Sequence, residues 1–208
     1  MNKIDELIGR HANKPADYAR AYLEYLASCF DAIDCNEIEA LIRMLLSARD
    51  TGNAVYFIGN GGSAATASHF ANDLSIGTRT GDEKPFRVIS LIDNIAMMTA
   101  LANDEGYDAM FVEQLKVYFC DGDSLVAISA SGNSPNVIAA VEYVKSRSGT
   151  VAGLTGFDGG KLRTLSDISL HVPTEKGEYG PVEDLHMIFD HLIGSYLTAQ
   201  VLRDRPSK

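Results

Sequence analysis

The chain has 208 residues, 46% of them hydrophobic, with 28 acidic against 18 basic side chains and a formal net charge of −10. This length and apolar fraction suit one fairly large domain, or one domain with a helical extension, and argue against disorder. The acidic balance repels phosphate backbones, and no apolar run approaches the ~18 residues that cross a bilayer, so neither nucleic acid nor a membrane is expected as a partner.

The first residues, MNKIDELIGRHANKPADYAR, are charged throughout and hold no apolar signal core, which makes the cytoplasm the expected compartment. Cys29, Cys35 and Cys120 form no CxxC pair and read as reduced structural thiols. Residues about 17–28 and 36–50 predict amphipathic helices. In the second, Leu41, Ile42, Leu45 and Leu46 recur at helical spacing, and Thr51-Gly52-Asn53 stops it.

Short apolar runs follow at 54–58, 86–91, 124–129, 150–155 and 168–172. Between and after them lie helical patterns over Ala64–Leu74, Ile95–Asn103, Met110–Phe119, Asn136–Lys145 and Val182–Leu202. Alternating strands and helices, with strands apolar on both faces, predict an α/β three-layer sandwich around a parallel sheet. The division expected is a helical extension over 1–52 and one α/β unit over 53–208. In such sheets ligands sit beyond the carboxyl ends of the strands, where the next helices start.

Two of those junctions carry phosphate chemistry. The first is Gly59-Asn60-Gly61-Gly62-Ser63-Ala64, whose glycines allow close backbone approach and whose Ser63 can cap the helix or bond a ligand. Its spacing also meets the relaxed dinucleotide pattern, but Asp82 and Glu83 fall before the second strand, where the pattern wants an acid after it. The second is Ser129-Ala130-Ser131-Gly132-Asn133-Ser134. Its three hydroxyls precede a helix N-terminus and form an anion cradle without the lysine of a nucleotide-binding P-loop. A monophosphate ester fits it better than a nucleoside triphosphate, and it contradicts a dinucleotide-dependent oxidoreductase.

The pair GNGGSA and SASGNS, each after a strand, resembles the sugar isomerase (SIS) domain, and TGFDGGKL resembles that family's T-G-x-x-G-G-x-L segment. Over about residues 36–203 the series GNGGSA, HFANDL, AND-GY, SASGNSPNV, LTGFDGGKL and VP is similar to bacterial phosphoheptose isomerases. The resemblance implies a five-stranded parallel sheet, flavodoxin- or Rossmann-like. It implies a homotetramer built on the N-terminal helices, with sites near subunit interfaces. The implied reaction converts sedoheptulose 7-phosphate to a heptose 7-phosphate through an enediolate. Non-catalytic relatives, phosphosugar-sensing regulators and replication-initiation adaptors, are the alternative it brings.

His69 and Asp73 stand four residues apart on the helix opened by the first loop, so they share a face suited to Zn²⁺ or to acid–base work, or to a mere surface pair. The segment GPVEDLHMIFDHL adds Glu183, His186, Asp190 and His191. The resemblance maps a zinc site, one ion per subunit, onto His69, Asp73, Glu183 and His191. It makes the first-helix carboxylate the base and His191 the acid. Asp73 stands where relatives carry Glu, and Glu183 where they carry Gln, so either carboxylate is a candidate base. His186 reads as packing or interface, and His171 as a satisfied buried or edge histidine. Substrate contacts are expected from Asn60, Gly61, Gly62, Ser63, Ser129, Ala130, Ser131, Ser134 and Glu183. Asn60 would orient the sugar or the first loop. Asp93 and Asn94, at the end of the second strand, are expected near the sugar hydroxyls, with helix capping as the other role for Asp93.

Overall fold

A computed structural model describes residues 1–79 and 84–203; Asp82, Glu83 and the end of the 53–208 unit lie outside the described residues. Three helices come first, α1 (Lys3–His11), α2 (Pro15–Phe30) and α3 (Cys35–Thr51). Strands and helices then alternate: β1 (Ala54–Gly59), α4 (Gly62–Asn72), β2 (Arg87–Ser90), α5 (Ile95–Asp104), α6 (Met110–Tyr118), β3 (Ser124–Ser129), α7 (Pro135–Ser146), β4 (Thr150–Phe157), α8 (Gly160–Leu165), β5 (Ile168–Pro173) and α9 (Tyr179–Arg203). All five apolar runs form strands, within a residue or two of the expected ends.

The sheet order is β2-β1-β3-β4-β5, every pair parallel. The chain steps outward from β1 to β2, then returns past β1 to β3. Strand order therefore reverses between β1 and β3, and the loops leaving those two strands flank a crevice at the carboxyl edge. These are the two serine–glycine loops.

Alternation along each strand feeds two cores. Val55, Phe57, Val126, Ile128 and Leu154 pack beneath α3, α4 and α9, while Tyr56, Ile58, Leu125, Ala127 and Val151 pack beneath α6 and α7. Fully buried rings such as Phe57, Phe70 and Phe189 each contribute about 1.5–3 kcal/mol. Phe57 and Phe70 meet with centroids 5.0 Å apart, which pins α4 onto β1. Because α4 and α9 both start at the carboxyl edge, they run the same way and pack side by side.

Two helices have no clear sequence signal. Helix α8 is six residues long. Helix α1 buries only Leu7, and its start is held from far away. The buried Glu178 carboxylate accepts from the Lys3 and Ile4 amides (2.6 and 3.3 Å), the Tyr25 hydroxyl (2.5 Å) and the Glu175 amide (3.0 Å).

Candidate active site

The second loop is preset by its own hydrogen bonds. Ser129 Oγ accepts from the Gly132 amide at 3.2 Å and lies 3.2 Å from Ser134 Oγ, while Ser131 Oγ accepts from the Asn133 amide at 3.3 Å. A serine oxygen that accepts in this way keeps its own O–H free to donate outward. Ser134 is the N-cap of α7 but makes no side-chain capping bond, and Pro135 follows it. Three hydroxyls thus gather at a positive helix end, the arrangement a phosphate requires.

The β4–α8 segment holds this loop from behind. Gly132 sits at φ +63, and a Cβ there would lie 1.9 Å from Gly159 O, closer than any side chain tolerates. The Leu162 amide donates to Gly132 O at 2.9 Å, and the Lys161 amide to Asn133 Oδ1 at 3.1 Å. TGFDGGKL is therefore a buttress: its glycines let two backbones touch.

The two loops are tied together. Asn60 and Asn136 exchange reciprocal amide bonds, both 2.9 Å, and Tyr107 Oη donates to Asn60 Oδ1 at 2.8 Å. Of the two roles expected for Asn60, these bonds serve the second: it fixes the first loop to the start of α7. Asn136 and Tyr107 were not among the expected site residues. Both lie inside the NSPNV and AND-GY motifs, but only the fold shows that they meet Asn60.

Farther along α4 lies a polar cluster. Donor atoms of His69, Asp73, Asp190 and His191 all fall within 4.8 Å of one another. His69 Nε2 is 3.3 Å from His191 Nε2, 3.5 Å from Asp73 Oδ2 and 3.8 Å from Asp190 Oδ2. The α-helix gives way at Asp73 to a π turn over Asp73–Gly77, a widening common at functional sites. Asp190 is fully buried, and neither of its carboxylate oxygens has a hydrogen-bond partner. Burial, and then the Asp73 carboxylate, push Asp190 up to about 7, against the pull of His69.

Glu183, mapped by resemblance into the same metal set, is not brought into this cluster. Eight residues of α-helix separate it from His191, roughly 12 Å of rise. Its carboxylate instead occupies the space over Gly62, where an added Cβ would lie 2.2 Å from Oε2. Burial, then the neighbouring Asp184, raises its pKa. Asp190, adjacent to His191 and turned inward, stands in the cluster in its place.

Asp93 accepts a hydrogen bond from Ser68, and the cap of α5 is Asn94, whose Oδ1 accepts from the Met97 amide at 3.1 Å. Both line an open cleft of about 740 Å³ between α4 and β2, with Ser68, Asn72 and Ser75. None of Ser129–Ser134 lines that cleft. His186 is fully buried with Nε2 3.3 Å from Thr155 O, and burial depresses it to about 4, so it is a neutral packing residue. His171 Nδ1 lies 3.0 Å from Thr155 Oγ1 on the edge strand.

The SIS domain matches residues 17–156. The chain is 35% identical over 173 residues to a phosphoheptose isomerase of Aliarcobacter butzleri, covering 83% of this chain and 89% of that one. It is 30% identical over 194 residues to one from Aneurinibacillus thermoaerophilus, covering 91% and 96%. The fold superposes on a solved phosphoheptose isomerase from Neisseria gonorrhoeae with TM-score 0.79 at 27% identity, over 89% of this chain and 100% of that one.

Proposed function

The chain belongs to the SIS domain family and, within it, to the phosphoheptose isomerases, and from that premise we propose that it interconverts sedoheptulose 7-phosphate and D-glycero-D-manno-heptose 7-phosphate. The product would serve heptose and cell-surface polysaccharide synthesis. One observation carries the reading: the tied serine–glycine loops stand at the reversal of strand order, and a His–Asp cluster lies two turns along the helix that the first loop starts.

Ser129, Ser131 and Ser134 hold the phosphate, with Ser63 and the first-loop backbone on the facing side. His69 lies six residues beyond Ser63, about 9 Å along the helix axis, a span comparable to an extended sugar phosphate. Phosphate at the loops therefore sets the carbonyl end of the sugar at the cluster. There Asp73 takes the proton from C1 of the ketose and returns it to C2. His191 gives a proton to the C2 oxygen and receives one from the C1 hydroxyl. Glu183, a turn or two nearer the loops, contacts the chain hydroxyls between.

The cluster also fits a divalent cation. Two imidazoles and two carboxylates are a Zn²⁺ donor set, and the unpartnered oxygens of Asp190 are what a cation would satisfy. His69, Asp73 and His191 would hold the ion, one per subunit. Bound, it would stabilise the negative oxygens of the enediolate. We infer a homotetramer as well, because Leu23, Phe30, Ile95, Leu192 and Tyr196 leave apolar surface exposed. No helix among the described residues is long and apolar enough to cross a membrane, which agrees with a cytoplasmic site of action.

The test is turnover of sedoheptulose 7-phosphate by the purified chain, followed as aldose phosphate. Binding of the phosphosugar without turnover would leave a sensor or adaptor instead. The base is tested by pairing Asp73→Asn with Glu183→Gln: Asp73→Asn lowers turnover by roughly 10³-fold while Glu183→Gln keeps much of it. The reverse result makes Glu183 the base.

A further inference from the structure

We propose that Asp190 is a ligand of the cation at the cluster, beside His69, Asp73 and His191. This rests on the reading of the cluster as a metal site and goes further by naming its fourth donor.

The argument starts from the helical pattern of α9. Its buried face runs through Val182, Leu185, His186, Phe189, Asp190, Ile193, Leu197 and Val201. An aspartate in that stripe takes a place where packing alone asks for an apolar side chain. A carboxylate moved out of water is tolerated when it is hydrogen-bonded, ion-paired or bound to a metal. Asp190 has no hydrogen bond on either oxygen. The groups facing it from α4 and its π turn are His69, at 3.8 Å, and Asp73, a second carboxylate that worsens its position unless a cation lies between.

Spacing agrees. Four donors about 2.0–2.2 Å from a tetrahedral ion stand roughly 3.3–3.6 Å apart. The separations from His69 Nε2 to His191, Asp73 and Asp190 are 3.3, 3.5 and 3.8 Å. These donors need only small side-chain movements to close on one ion.

The test uses full-length protein stripped with a chelator and titrated with Zn²⁺ in competition with a chromophoric chelator. Wild type, Asp190→Asn, Asp190→Leu and Glu183→Gln are compared. Expected is a loss of at least a hundredfold in Zn²⁺ affinity for both Asp190 variants, and a change of less than threefold for Glu183→Gln. Stripped Asp190→Leu melts at or above stripped wild type, since it no longer buries a bare carboxylate, yet gains less from added Zn²⁺. Co²⁺ in the wild type gives the intense visible bands of four-coordinate geometry, which the Asp190 variants lose. If wild type binds Zn²⁺ and the Asp190 variants bind it equally well, Asp190 is no ligand while the metal site stands. If wild type binds neither Zn²⁺ nor Co²⁺, the metal reading falls and this proposal with it.

Discussion

At the carboxyl edge of the sheet, the Ser129–Ser134 loop and the seam between α4 and α9 treat their polar groups in opposite ways. In the loop, hydroxyls and amides answer one another, and two glycine-lined backbones touch behind it. In the seam, a buried carboxylate accepts no hydrogen bond, and two imidazole nitrogens face each other at 3.3 Å. The loop is finished before any ligand arrives, so it sets position. The seam is left incomplete, so it keeps groups free for binding a cation and moving protons. The contrast implies that damage to the loop shows first in stability and affinity, and damage to the seam in turnover.

The sharpest break comes from Gly132→Ala. A Cβ held 1.9 Å from Gly159 O at φ +63 must push the loop off its buttress, at a cost of about 4 kcal/mol or more. Urea unfolding measures it, and a loss below 1 kcal/mol would show that the two backbones are not locked. Next, Asp73→Asn lowers kcat by roughly 10³-fold while the melting temperature moves little, since the residue is only half-buried. A large drop in melting temperature would make the seam as structural as the loop.

The third concerns His186, which lies under the seam but belongs to the core. Burial holds its folded pKa at about 4, below the unfolded value of 6.5. The unfolded chain therefore binds more protons across that window. The contribution of His186 is full above the unfolded value and is lost as pH falls toward 4, about 3 kcal/mol in all. The difference in unfolding free energy between wild type and His186→Met, followed from pH 7 to pH 4, isolates this group. A flat difference would mean that the imidazole is not buried neutral. The smallest effect is Ser134→Ala, which raises KM about tenfold with kcat unchanged, because it removes one hydrogen bond to the phosphate in ground and transition states alike. A fall in kcat instead would draw the loop into the chemistry.

The sequence made the sheet legible because both-sided burial leaves plain apolar runs, as in AVYFI and SLVAIS, and because the loops between them carry serines and glycines at fixed places. It left α1 unread, since the group that holds its first turn is Glu178, at the other end of the chain. His69 and Asp73 are visible as a pair because one helix presents them together. Glu183 illustrates the limit: a motif places residues along a chain, whereas the fold decides where a carboxylate rests, and this one rests over Gly62, outside the His–Asp group. Asp190 is the converse. The sequence offers it among the donors of its segment without giving it a role, and the packing of α9 on α4 turns it toward His69.

Glu178 has a practical consequence for how the chain can be cut. Its carboxylate gathers the Lys3 and Ile4 amides and the Tyr25 hydroxyl immediately before α9 begins. Trimming residues 1–11, or fusing a stiff tag directly to Lys3, strips donors from a buried anion at the root of the helix that carries Glu183, Asp190 and His191. Shortened versions made for crystallisation or display thus risk losing their activity at the opposite terminus from the cut. Glu178→Gln, which needs fewer donors, is the companion change that would make such trimming tolerable.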